Sequence, residues 1–161
     1  MITLLIVSRK RACQLFLLLE SIEKFAKDQF SVSVLLKTDD DYRKAYENAA
    51  RTFPDATFIE ERDFGQDLFN ILSNGHNQNC SIATDDCVFF RAVPPIPKVE
   101  VGNTFSLRLG INCTIQNFKN QEPLPPLNQF SEKDGILSWC PIYWGNYLNW
   151  GYVFSLDGHV F

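Results

Sequence analysis

Over its first ninety residues the chain alternates short apolar runs with segments of helical periodicity, and this alternation restricts the fold more than any other feature. The runs Ile2 to Val7, Ser31 to Leu36, Ala56 to Glu60 and Cys80 to Thr84 are rich in β-branched and aromatic residues, which predicts four strands. Between the first two, Leu15, Leu18, Leu19, Ile22, Phe25 and Ala26 recur at helical spacing, and Phe16 and Leu17 widen the stripe, so a well-buried helix is expected. Asp39, Asp40 and Asp41 suit the N-terminus of a second helix carrying Tyr42, Ala45, Tyr46, Ala49 and Phe53, stopped by Pro54. A third helix is predicted from about Gln66 to Ser73, ended by Asn74-Gly75. A β-α-β-α-β-α-β order of this kind requires a parallel sheet with crossover helices.

After residue 90 the texture changes: six of the eight prolines fall between Pro94 and Pro126. Thr104 to Leu109 reads as a strand and Glu122 to Asn128 as an extended loop. Gly151 to Val160 reads as a strand with a turn at Asp157-Gly158. A single domain is expected, with a nucleotide-binding half over 1–92 and an α+β acceptor-side half over 93–161. Residues 111–135 are the expected lid or acceptor-binding segment.

Size and charge exclude several classes. A chain of 161 residues buries enough surface to hold a core without disulfides or a structural metal. With a net charge of -4 there is no basic excess to follow a phosphate backbone, so nucleic acid is not an expected partner. The apolar start is interrupted by Arg9-Lys10-Arg11, too soon for a membrane span, and no basic region precedes it. Five scattered cysteines without a C-x-x-C pair are expected as reduced, mostly buried thiols, consistent with a cytoplasmic protein. No fixed protein partner is implied.

In an open α/β sheet ligands bind outside the carboxyl ends of the strands. Those ends are polar here: Ser8-Arg9-Lys10-Arg11, Lys37-Thr38-Asp39-Asp40-Asp41, Glu61-Arg62-Asp63 and Thr84-Asp85-Asp86. Cations mixed with carboxylates suit a phosphorylated ligand shared between basic side chains and a divalent ion, and solvated strand ends look the same. No G-x-G-x-x-G, P-loop or G-x-S-x-G is present, and no aspartate ends the first strand.

Thr84-Asp85-Asp86, an acid pair after an apolar strand, resembles the D-x-D region of GT-A-type glycosyltransferases. The strand, Ser8-Arg9 and Leu-rich helix of Ile2 to Ile22 resemble the nucleotide-binding element of that superfamily. Tyr152 to His159 is similar to its C-terminal element, in which a histidine completes a metal site. The resemblance implies a GT-A-like mixed sheet with a Rossmann-like parallel N-terminal half. It also implies transfer of a sugar from a UDP-sugar donor to a carbohydrate or other acceptor hydroxyl. Asp86 and His159 would hold Mn2+, or Mg2+, across the diphosphate, where the ion stabilises the charge left on the departing group.

Ser8, Arg9, Arg11, Thr38 and Asp39 resemble positions that hold the nucleobase and ribose. Thr84 stands at the first D-x-D position, so its hydroxyl, or Asp85, would meet the ribose. Asp67 would face the same crevice from the first turn of the third helix, or serve only that helix's N-terminus. Arg108, a lone cation in an apolar run, needs a carboxylate or phosphate partner. Asp157 is the candidate base of an inverting enzyme, or else holds the donor sugar. The aromatics from Trp139 to Tyr152 fit either a core or a sugar platform. His76 reads as a turn residue. The resemblance also implies further structure after the last residue. The competing expectation is a non-catalytic nucleotide-sugar or glycan-binding module; a nucleotidyltransferase lacks its Gly-rich basic loop.

Overall fold

The computed structural model describes residues 1–74, 79–100, 103–107, 130–133, 136–139 and 159–160. The chain forms two compact units, Met1–Phe105 with Leu156–Phe161, and Ser106–Ser155; the division between the two expected halves, 92/93, lies within the residues of the first unit.

The first unit carries the alternation predicted above: β1 (Ile2–Arg9), α1 (Ala12–Phe25), β2 (Phe30–Lys37), α2 (Asp40–Thr52), β3 (Thr57–Glu60), α3 (Phe64–Asn74) and β4 (Cys80–Thr84). With β5 (Phe105–Ser106) and β8 (His159–Val160), the sheet order is β3-β2-β1-β4-β8-β5. The first four strands are all parallel, whereas β8 pairs antiparallel to β4 through Val160 and Ser81. The sheet is therefore mixed α/β with a parallel N-terminal part.

β1 runs two residues further than its apolar stretch suggested. Ser8 and Arg9 stay in the ladder because β2 offers Leu36 and Lys37 opposite them, so pairing outlasts the hydrophobic pattern. Leu4, Leu5 and Ile6 are all buried. Consecutive strand residues point to opposite faces, so both faces of β1 are covered, as a parallel sheet demands. Each such side chain contributes about 1.5–3 kcal/mol by leaving water.

α1 buries Ala12, Leu15, Leu18, Leu19, Ser21 and Ile22. Leu17 lies on the outer face, 56% exposed, so the expected wider stripe reaches only Phe16, which meets Phe53 edge-on at 4.9 Å. α2 buries Tyr46 and Ala49, with Phe53 behind them, while Tyr42 and Ala45 face outward. α3 begins two residues earlier than expected because Asp63 caps it, its Oδ1 accepting the Gln66 N–H at 2.9 Å. Among the described cysteines, Cys13 is exposed and Cys80 and Cys87 are half-buried, so the expectation of mostly buried thiols is not met.

Beyond β4 the proline-rich segment returns along α1. The N–H groups of Phe89, Val93 and Ile96 donate to Ser21 Oγ, the Phe25 carbonyl and Gln29 Oε1, and the Val99 carbonyl accepts from Asn79 Nδ2. Val93, Ile96 and Val99 are half-buried, while Ala92, Pro95 and Lys98 are exposed. That three-residue period is the one an extended proline-rich strand presents.

In the second unit, β6 (Ser131–Lys133) and β7 (Ile136–Ser138) form an antiparallel pair, with Phe130 and Trp139 rings 6.3 Å apart at its open end. Ser131 to Lys133 fall within the expected 111–135 lid or acceptor-binding segment, for which no strand is predicted. Asp134-Gly135, between the two strands, was the available hairpin signal. The predicted 122–128 loop, most of the predicted 151–160 strand and His76 lie outside the described residues, and the predicted 104–109 strand is described only as Phe105–Ser106.

Candidate functional site at the carboxyl edge of the sheet

The chain passes from β1 to β2 to β3 on one side, then re-enters as β4 on the other side of β1. In open α/β sheets ligands bind where strand order reverses in this way, here between the carboxyl ends of β1 and β4. Val7 pairs with Thr84, so the turn Asp85-Asp86 leaves β4 beside the last residues of β1, Ser8 and Arg9, and the Lys10-Arg11 turn that follows them.

Asp85 is buried, and Ser8 Oγ donates to its Oδ2 at 2.8 Å. Having given its one proton to a carboxylate, Ser8 must accept from Tyr46, whose hydroxyl lies 2.7 Å away. The Tyr46 oxygen in turn accepts the Arg11 N–H at 3.1 Å. The bonds run in one direction, from the Arg11 amide through two hydroxyls to Asp85. They tie α1, α2, β1 and β4 together beneath the crevice, and each bond polarises the next. Sequence reasoning read Tyr46 only as a helix-face residue. A polar atom on a buried tyrosine, which needs a partner, was the overlooked signal.

Arg11 also sets the electrostatics above this network. Its guanidinium lies 3.1 Å from Asp86 Oδ2 and 3.5 Å from Asp85 Oδ1. Thr84 donates its hydroxyl to Asp86 Oδ1 at 2.6 Å. That hydroxyl above all holds the Asp86 carboxyl below the usual carboxylate range; burial opposes it, and the Asp86 backbone N–H and the Arg11 guanidinium add to the lowering.

Lys10 has φ of 56°, a left-handed conformation uncommon for a residue with a side chain. The turn splits two adjacent cations between the strands flanking β1: Lys10 Nζ pairs with Asp39, after β2, and Arg11 with the acids after β4. The Lys10 ammonium lowers the Asp39 pKa, and Asp39 raises that of Lys10. Asp39 precedes α2 without capping it through its side chain. Thr38 donates to the Asp39 carbonyl at 3.1 Å, and Arg9 ends β1 exposed.

Asp67 stands apart from this group. Its Oδ2 accepts the N–H groups of Arg62 and Asp63 at 2.8 and 3.0 Å, tying the β3–α3 connection to the helix. With Ile59, Glu60, Glu61 and Arg62 it lines an open cleft of about 400 Å³ at the β3 end. Glu61, one of its lining residues, pairs with Lys37 at 2.8 Å.

His159 lies on β8. Since Val160 pairs with Ser81, its backbone runs beside Ile82, two strand positions or about 7 Å below the end of β4. Arg108 and Asp157 lie outside the described residues. Among the described residues no group of three His, Cys, Asp or Glu side chains forms a metal cluster. Asp86 presents one accessible carboxylate beside the Thr84 hydroxyl, and both of its oxygens are already engaged, one by Thr84 and the other by the Arg11 guanidinium, which has no lone pair to offer a metal. No described helix is long and apolar enough to cross a membrane. Comparison with protein-family models gives no match, and comparison with curated proteins gives none either.

Proposed function

We propose that the crevice between β1 and β4 binds a nucleoside diphosphate sugar, UDP-linked by preference, and that the protein transfers the sugar to an acceptor hydroxyl. The observation that carries this reading is the position of Asp85-Asp86 at the strand-order reversal, beside Ser8 and Arg11. Asp85 serves as the fixed floor of the site through Ser8 and Tyr46, and Asp86 is its accessible carboxylate. Asp86 would hold Mn2+ or Mg2+, which would supply Lewis-acid stabilisation of the departing diphosphate; His159, whose backbone lies two strand positions below the end of β4, is the other residue the resemblance nominates. Arg9 and Arg11 face phosphate, and Thr38 and Asp39 border the nucleoside side of the crevice.

A second reading, binding without turnover, is favoured by Thr84: its hydroxyl is committed to Asp86 at 2.6 Å, where the D-x-D pattern has an acid free for the ribose.

The test is thermal unfolding with UDP and a panel of UDP-sugars, each with Mn2+ or with EDTA. A ligand at about 100 times its Kd adds about 2.7 kcal/mol, worth about 5–10 °C for a chain of this size. Stabilisation followed by UDP release from one sugar nucleotide supports the transferase, and stabilisation without release supports the binding module. A folded protein whose melting responds to no nucleotide in either condition refutes both.

A further inference from the structure

The strap that follows β4 reads Arg91-Ala92-Val93-Pro94-Pro95-Ile96-Pro97-Lys98, with proline at positions 94, 95 and 97. Each proline ring fixes φ near -65° and removes an N–H, so the segment joins no sheet and favours the polyproline II helix. With three residues per turn, such a helix is a prism with three edges. One edge is in use. Val93, Ile96 and Val99 are half-buried, and the backbone is tied down at the same three residues. The Val93 N–H donates to the Phe25 carbonyl at 2.9 Å, the Ile96 N–H to Gln29 Oε1 at 3.3 Å, and Asn79 Nδ2 to the Val99 carbonyl at 3.2 Å.

The face opposite a docked edge is bounded by the other two edges. Here these carry Arg91, Pro94 and Pro97 on one side and Ala92, Pro95 and Lys98 on the other, all exposed except the half-buried Pro97. A groove that reads a polyproline II helix lays proline rings between aromatic side chains and touches two adjacent edges. Two edges are what the strap leaves free. Its two cations stand at the ends of this face, about 22 Å apart at 3.1 Å per residue. Among the described residues neither has an ion pair; the Arg91 guanidinium lies 5.5 Å over the ring of Phe90, itself 75% exposed. Unpaired cations at both ends of an apolar face, on a chain of net charge -4, are complementary to a groove with an acidic rim. The ties to α1 and Asn79 fix the strap during folding, so a partner need not order it.

We propose that this face of the strap is a docking site for a partner domain that reads polyproline II helices through an aromatic-lined groove with an acidic rim. The site is separate from the crevice between β1 and β4. Arg91, Pro94 and Pro97 form the pattern Arg-x-x-Pro-x-x-Pro along one edge, so Arg91 meets the acidic rim while Pro94 and Pro95 fill the groove.

The probes are a panel of SH3 domains that take Arg-x-x-Pro-x-x-Pro ligands, titrated into the isotopically labelled full chain and measured by calorimetry and amide shifts. Binding is expected to shift the amides of Arg91, Ala92 and Lys98, while the Val93 and Ile96 amides stay as protected from hydrogen exchange as in the free chain. Arg91→Glu is expected to weaken binding about tenfold or more, and lysine in place of the acids on the domain's rim should restore part of that loss. A merely structural role for Arg91 would give no such rescue. Pro94→Ala combined with Pro95→Ala should weaken binding as well. Failure of every domain in the panel to bind the full chain overturns the proposal, as does affinity unchanged in Arg91→Glu. Binding to the isolated peptide of residues 88–100 but not to the full chain, or loss of protection at Val93 and Ile96 on binding, also overturns it, because the groove then requires the edge that α1 holds. Melting temperatures of the variants confirm that each is folded.

Discussion

Ser8→Ala tests whether the network beneath the crevice is as directional as its geometry requires. Ser8 is 2% exposed and its hydroxyl makes two bonds, donating to Asp85 at 2.8 Å and accepting from Tyr46 at 2.7 Å. A hydrogen bond to a charged group is worth about 1.5–3 kcal/mol, and a buried donor left without its acceptor, here the Tyr46 hydroxyl, costs about 1 kcal/mol more. The expected loss is about 3 kcal/mol, read as a shift of the urea midpoint at constant slope, or about 6–12 °C in melting temperature. Tyr46→Phe keeps the Ser8–Asp85 bond but removes a neutral donor to Ser8 and the acceptor of the part-buried Arg11 N–H, so about 1–2 kcal/mol is expected. The double variant is the sharper measurement. With both hydroxyls absent the Tyr46 donor that Ser8→Ala orphans is gone, and the Arg11 N–H is unpaired as it is in Tyr46→Phe alone, so the loss should fall short of the sum of the two single losses by about 1 kcal/mol. A Ser8→Ala loss under about 1 kcal/mol, or strict additivity of the pair, would refute the relay.

Three further outcomes are expected. Asp86→Ala should abolish Mn2+-dependent UDP stabilisation and release, and full retention of both would remove Asp86 from the site. Because the folded-state pKa values of Asp39 and Asp86 are depressed, their contribution is present above the unfolded value near 4 and is lost as pH falls through the folded values. The urea midpoint should accordingly decline below about pH 4, and less steeply in Asp86→Asn; identical pH profiles would contradict the ion pairing. Asp67→Ala frees the Arg62 and Asp63 amides at the start of α3 and should cost about 1 kcal/mol, with faster hydrogen exchange at those two amides. Unchanged exchange there would show that Asp67 does not hold the connection.

Much of the first unit was legible because its elements are local. Strand runs and helical spacing depend on neighbours a few residues away, and Ile2 to Val7 or Leu15 to Ile22 carry their pattern without reference to the rest of the chain. What was missed depended on distant partners. The extension of β1 to Arg9 needed Leu36 and Lys37 opposite, the exposure of Leu17 needed the packing of α1, and the role of Asp67 needed two amides of the preceding turn.

For the candidate site the division is the same. Sequence alone identified Ser8, Arg11, Asp85 and Asp86 as polar residues at strand ends, since a charged group following an apolar run marks where a strand meets water. Only the tertiary structure decided that β4 lies beside β1 on the side away from β2, which makes those four residues neighbours. It also decided that Asp85 is buried on Ser8 while Asp86 stays exposed on Arg11. Two adjacent aspartates are chemically identical in a sequence. Burial and partners 75 to 77 residues away separate them, because the energy of a carboxylate is set by what replaces its water.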